Sequence, residues 1–203
     1  MKTLVVVVAL FSFFFPGMQQ ILSGQKTNTK YFIDVHKLEP GGVTYADVAG
    51  AHEKDLKTES KYGVSFITYW VDEKGGNVYC LSKANKAADV IATHKEAHGL
   101  IPQETYEVTA GQKSTYLGNG SLFLDIHDLG PGNVTAAAVA DAHKKDLTVE
   151  GAYKVNFINY WVDEKNGKVF CLAEAPSETA VVATHKEAHG LIPAEIMLVK
   201  QGQ

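Results

Sequence analysis

The chain is poor in the features that mark the commonest binding and catalytic classes. Its 19 Lys and Arg residues stand against 23 Asp and Glu, a net charge of −4, and it carries no polybasic run. That gives no electrostatic case for nucleic acid, which needs a basic face, or for anionic lipid. It has no glycine-rich phosphate loop and no recognisable nucleophile motif. Only two cysteines occur, Cys80 and Cys171, in the matching stretches VYCL and VFCL. They read as buried thiols, or as a bridge if the fold brings those two strands together. Long hydrophobic runs are also missing. The longest, Leu4–Phe15, spans about 12 residues, short of the ~20 that a helix needs to cross a bilayer.

That run follows Lys2 and precedes Pro16, Gly17 and a polar stretch ending in Ser23-Gly24. This is the layout of a secretory signal peptide over residues 1–24, with the mature chain starting near Gln25. The expectation is an exported protein, periplasmic or secreted, with no membrane attachment once the signal is cleaved. No cysteine lies near the cleavage region to carry a lipid.

What is present is repetition. A shift of 91 residues maps Asp34 onto Asp125, Tyr69-Trp70 onto Tyr160-Trp161 and Cys80 onto Cys171. ATHKEAHGLIP stands at 92–102 and again at 183–193. The chain is a tandem duplication: one repeat over 30–109, a Gly- and Ser-containing linker over 110–121, and a second repeat over 122–200.

Hydrophobic period gives each copy its elements. Tyr31–His36 predicts a strand. Thr44, a good N-cap, opens a helix with Val48, His52 and Leu56 on one face. Val64–Asp72, rich in β-branched and aromatic residues, and Val78–Ser82 predict a hairpin about Gly75-Gly76. A second helix over about 86–98 stops at Gly99, and a strand around Thr105–Thr109 closes the unit. The order βαββαβ predicts a ferredoxin-like α+β repeat, with two repeats covering each other's bare sheet faces as a pseudo-dimeric α/β barrel. Strand alternation puts Ile33 and Val35, with Ile67, Tyr69 and Val71, against the helices. Phe32, Asp34 and His36, with Phe66, Thr68 and Trp70, then face the other repeat.

All eight histidines fall in the repeats: His36 with His127, His52 with His143, His94 with His185, and His98 with His189. Meanwhile the start of the second helix has changed from NKAAD at 85–89 to PSETA at 176–180. His94 and His98, one helical turn apart, can converge on one ion. Glu96 lies elsewhere on the helix, so this is not the catalytic zinc motif HExxH. Metal ligation, buried structural histidines and acid–base catalysis all remain open for the pair. His52 reads as a core histidine beside Asp55, which would orient its ring if a metal is present. A ferredoxin-like repeat is expected to separate the end of its first strand from His94 and His98. His36 would then join them only through ligands drawn from both copies, or the copies would hold separate sites.

The segments DVHKLEPGGVTYADVAGAHEKDL, YWVDEKGGNVYCL and THKEAHGLIPQE resemble a family of small nickel-binding ferredoxin-like domains. The resemblance covers nearly all of both copies. It implies a ferredoxin-like fold, self-association of domains, and a divalent cation, chiefly nickel.

The function expected is therefore exported divalent-metal binding. The candidate ligands are His36, His94, His98, His127, His185 and His189, with His52, His143, Asp34 and Asp125 as further members. The alternative is a barrel-type enzyme or small-ligand module using a face made of Asp34, His36 and Trp70. A third reading is a structural module whose histidines only pack.

Overall fold

The computed structural model describes residues 28–203, so the expected export signal at 1–24 lies outside it. The first repeat runs β1 (Lys30–Lys37), α1 (Tyr45–Tyr62), β2 (Ser65–Asp72), β3 (Asn77–Ala84), α2 (Ala87–Ala97) and β4 (Glu104–Ala110). The second runs β5 (Ser121–Asp128), α3 (Ala136–Val149), a short 3-10 turn at Glu150–Tyr153, β6 (Asn156–Asp163), β7 (Lys168–Ala175), α4 (Glu178–Ala188) and β8 (Glu195–Gly202).

Local chemistry sets these limits. Thr44 and Asp47 form a reciprocal capping box that satisfies backbone donors at the start of α1. Gly63, left-handed at φ 65°, ends α1, and its N–H bonds back to the carbonyls of Glu59 and Ser60. α2 ends as expected just before Gly99, with the His98 and Gly99 N–H groups both on the His94 carbonyl.

All eight strands close into one antiparallel barrel in the order β1-β3-β2-β8-β5-β7-β6-β4. Two seams join the halves. The last strand of each repeat pairs with the second strand of the other, with Trp70 opposite Gln201 and Trp161 opposite Ala110. Full closure removes the exposed sheet edges that either repeat would carry alone.

The barrel interior is the main core and is almost wholly apolar. Ile33, Val35, Trp70, Tyr79, Leu81 and their counterparts fill it, with Trp70 against Trp161 at 5.1 Å between ring centroids. This reverses the expected facing of the first strand. Ile33 and Val35 point into the barrel, whereas Phe32, Asp34 and His36 lie under the helices. Both faces of β1 are covered, so alternation marked two sides without saying which was which. β2 is a mixed case. A bulge between Phe66 and Thr68 shifts its register, so Phe66 packs under the helices with Val90 and Ile67 turns toward the barrel. Beyond the bulge Tyr69 and Val71 face the helix side, as expected, and Trp70 faces inward. On α1 the buried stripe is Val48, His52 and Asp55, and Leu56 is exposed.

Candidate metal centres

Between sheet and helices each repeat assembles a buried cluster. In the first, Asp34 from the middle of β1 is fully buried, and its Oδ1 lies 3.2 Å from both His36 Nε2 and His94 Nε2. Cys80 is the cross-strand partner of Asp34 on β3 and shares its face. The donor atoms of Asp34, His36, Cys80 and His94 all lie within 4.8 Å of one another. On the far side of the His94 ring, Nδ1 meets Asp55 Oδ1 at 3.0 Å, and His98 Nε2 meets the same oxygen at 3.3 Å.

The second repeat repeats the arrangement. His127 Nε2 stands 3.3 Å from Asp125 Oδ1, and His185 Nε2 stands 3.5 Å from Asp125 Oδ2. His185 Nδ1 and His189 Nε2 are 3.0 and 3.2 Å from Asp146 Oδ1, and Cys171 completes the set. The two clusters are separate, each built from one repeat.

His36 thus does reach His94, at 4.9 Å between ring centroids, contrary to the separation expected from the fold. The reason is direction. β3 runs antiparallel to β1, and α2 returns antiparallel to β3, so α2 runs parallel to β1 and its C-terminal half ends beside His36. His52 and His143 stand apart from the donor groups. His52 packs on Tyr69 and Phe66 at 4.8 and 6.0 Å, and His143 on Tyr160 and Phe157 at 4.7 and 6.1 Å. Asp55, expected to orient His52, instead bonds His94. Trp70 lies inside the barrel, on the opposite face of the sheet from Asp34 and His36, so those three do not form one face.

Cys80 and Cys171 are free and buried. They are members of the clusters that sequence reasoning missed, because their place depends on strand register. Their matching positions in the repeats were the only signal.

The electrostatics are those of a tightly coupled site. Burial pushes the Asp34 carboxyl up, but the His36 and His94 contacts and charges outweigh it and hold it below its ordinary value. Burial likewise lowers the His94 ring, and its contacts with Asp34 and Asp55 overcome that, leaving it raised to about 9. Burial, together with the Asp34 and Asp55 charges, drives the Cys80 thiol well above its usual range. Burial lowers His52.

Two features bear on cation binding. Among the described residues, both Asp34 oxygens and His94 Nε2 are buried without a well-aligned hydrogen bond, as is Asp125 Oδ1. Buried carboxylate oxygens left this way are costly unless something else neutralises them. Donor spacing is the second. A cation about 2.0–2.3 Å from each donor holds its donors roughly 3–3.7 Å apart. The two Asp34–histidine distances of 3.2 Å lie in that range, and the full set with Cys80 lies within 4.8 Å. The mixed carboxylate, imidazole and thiol set suits a borderline transition ion over calcium or magnesium.

His98 and His189 belong to a second donor group in each repeat, Asp55 with His94 and His98, and Asp146 with His185 and His189. His98 Nδ1 accepts the Leu100 N–H at 3.2 Å, so the ring carries its proton on Nε2, facing Asp55 and His94 Nδ1. His189 does the same with the Leu191 N–H. A cavity of about 80 Å³ lined by Leu38, Val48, His52 and Leu100 leads to the first cluster, and one of about 140 Å³ leads to the second.

Fold and clusters together define a duplicated ferredoxin-like α+β protein with two adjoining donor groups in each repeat that could hold metal. The chain belongs to the nickel responsive protein SCO4226-like family, whose model matches residues 32–108 and again 123–199. The chain is 35% identical to SCO4226 from Streptomyces coelicolor A3(2), over 41% of this chain and 100% of that one, with a TM-score of 0.39. A chlorite dismutase variant from Candidatus Nitrospira defluvii shares 10% identity over 86% of this chain and 91% of that one, at a TM-score of 0.50, a likeness of fold alone. A search of curated proteins gave no significant match.

Proposed function

We propose that the protein is an exported nickel-binding protein that holds one divalent ion in each repeat. The observation that carries this is the fully buried Asp34 carboxylate, with donor atoms of His36, His94 and Cys80 gathered about it, all within 4.8 Å of one another. Asp34, His36, Cys80 and His94 would hold one ion, and Asp125, His127, Cys171 and His185 the other. Asp55 and Asp146 would fix the donor histidine through its other nitrogen, the carboxylate–histidine arrangement found behind metal ligands. His98 and His189 then hold those carboxylates in place. The family match supports nickel, and the layout of residues 1–24 supports export.

Titration of the purified protein with nickel tests the reading. Two ions should bind per chain, with thiolate-to-nickel charge-transfer absorption. The paired change Cys80→Ser and Cys171→Ser should abolish that absorption and weaken binding at least tenfold. His98→Ala with His189→Ala should weaken binding less and keep the band. Failure to bind nickel, or binding untouched by the cysteine changes, would remove this ligand set.

A further inference from the structure

The connection between the repeats breaks the symmetry of the barrel at one place. A cleft of about 670 Å³ opens there onto the barrel interior, beneath residues 113–116 of the connection and across both halves. Both tryptophans of the chain, Trp70 and Trp161, line it. That volume is within the range of sites for small molecules.

The two indoles are not equally served. Trp70 Nε1 donates to Gln201 Oε1 at 2.9 Å, from the residue opposite it across the seam. The residue opposite Trp161 is Ala110, which has no side-chain acceptor to offer, and Trp161 Nε1 is buried without a partner among the described residues. Such an indole N–H usually finds an acceptor.

Charge is unequal as well. Where the second repeat has Glu174, the first has Lys83. Glu174 is turned to the connection, where it accepts the backbone N–H groups of Leu117, Asn119 and Gly120. Lys83 stays on the cleft with its ammonium 4.8 Å from the Tyr31 ring centroid. Lys113 joins it from the connection, and among the described residues no Asp or Glu side chain lines the cleft. Neither lysine has a carboxylate partner among the described residues.

We propose that this cleft binds a small organic monocarboxylate with a ring-sized apolar body. The body lies over the tryptophans at the cleft floor, the Trp161 indole, closed off in this structure, turns to donate its N–H to a carboxylate oxygen, and the charge faces Lys83 and Lys113. This site is distinct from the metal clusters, which lie on the other face of the sheet.

Because both tryptophans line the cleft, intrinsic fluorescence reports occupancy. Cyclohexanecarboxylate, which does not absorb in the tryptophan band, serves as the probe, and neutral cyclohexanecarboxamide as its control. Expected are a saturable fluorescence change with the acid and binding of the amide about tenfold weaker, the scale of a lost charge-assisted contact. Lys83→Gln, at a half-buried surface position, should weaken the acid about tenfold. Ala110→Gln, which offers Trp161 the acceptor that Gln201 gives Trp70, should do the same while the protein melts no lower than the wild type. No saturable change into the millimolar range, equal binding of acid and amide, or binding indifferent to Lys83→Gln overturns the proposal.

Discussion

At the residue scale, His94 and His185 decide how the metal-free protein answers to pH. Each ring touches a carboxylate through both nitrogens, and that pairing raises its pKa from 6.5 to about 9. A raised histidine contributes stability that is fully present below its unfolded value and lost as pH rises through its folded value. For the chelator-treated protein, stability should therefore fall between pH 6.5 and about 9. The loss should be on the order of 3 kcal/mol per ring, since a tenfold change in proton affinity is worth about 1.4 kcal/mol. His52 and His143 act with the opposite sign. Burial lowers them, so their contribution is lost on the acid side. Urea unfolding midpoints measured across this range with a chelator present, for the wild type and for His94→Gln with His185→Gln, test the assignment. A wild-type profile as flat as that of the double variant would show that these rings do not carry the charge assigned to them. The same protons oppose nickel, because a donor imidazole must give up its proton to bind. Affinity should accordingly keep rising above the ordinary histidine range.

At the scale of elements, the two copies show what one substitution does to a helix end. α1 closes on Gly63 at φ 65°, whereas its counterpart is Lys154 at φ 57°, the one non-glycine residue with positive φ among those described. A side chain in that region costs about 1 kcal/mol or more, and only glycine escapes it. The helix end has changed with it: α3 stops at Val149, and a 3-10 turn, Glu150–Tyr153, bridges to Lys154. Lys154→Gly should stabilise the protein by roughly 0.5–1 kcal/mol, net of the entropy glycine adds to the unfolded chain. Thermal unfolding of the single variant reads this directly, and an unchanged or lower midpoint would contradict it.

Element identity was largely legible in the sequence, because caps, glycines and hydrophobic period act locally. Facing was not. Phe32 and Ile33 are both apolar and both buried, and only the closure of the barrel decides which looks inward. No glycine or proline marks the bulge after Phe66. The site divides the same way. The spacing of His94 and His98 is a helical property and could be read. The meeting of Asp55 with His94, 39 residues apart, and of Cys80 with Asp34 across two strands are tertiary facts.

At the scale of the whole molecule, the halves are held by two seams, and a glycine sits in each. Gly202 lies opposite Tyr69 in one, and the Gly111 N–H bonds the Tyr160 carbonyl in the other. A Cβ on Gly202 would fall 2.2 Å from the Tyr69 ring, and one on Gly111 would fall 2.0 Å from the Tyr160 ring. Neither tyrosine can yield easily, since both are buried and packed beneath the helices. Closure of the barrel thus depends on the missing side chain at each seam. The interior core is shared, Trp70 of one half resting on Trp161 of the other, so neither half keeps its packing if the seams open. Gly202→Ala should cost about 1–3 kcal/mol, the usual range for overpacking a filled site. Because the core is common, the loss should appear as a single unfolding transition moved to lower denaturant, seen alike by tryptophan fluorescence and by far-ultraviolet circular dichroism. If Gly202→Ala instead split unfolding into two steps, with one repeat melting early and the other at the wild-type midpoint, the halves would be independent domains, and closure of the barrel would not be what stabilises them.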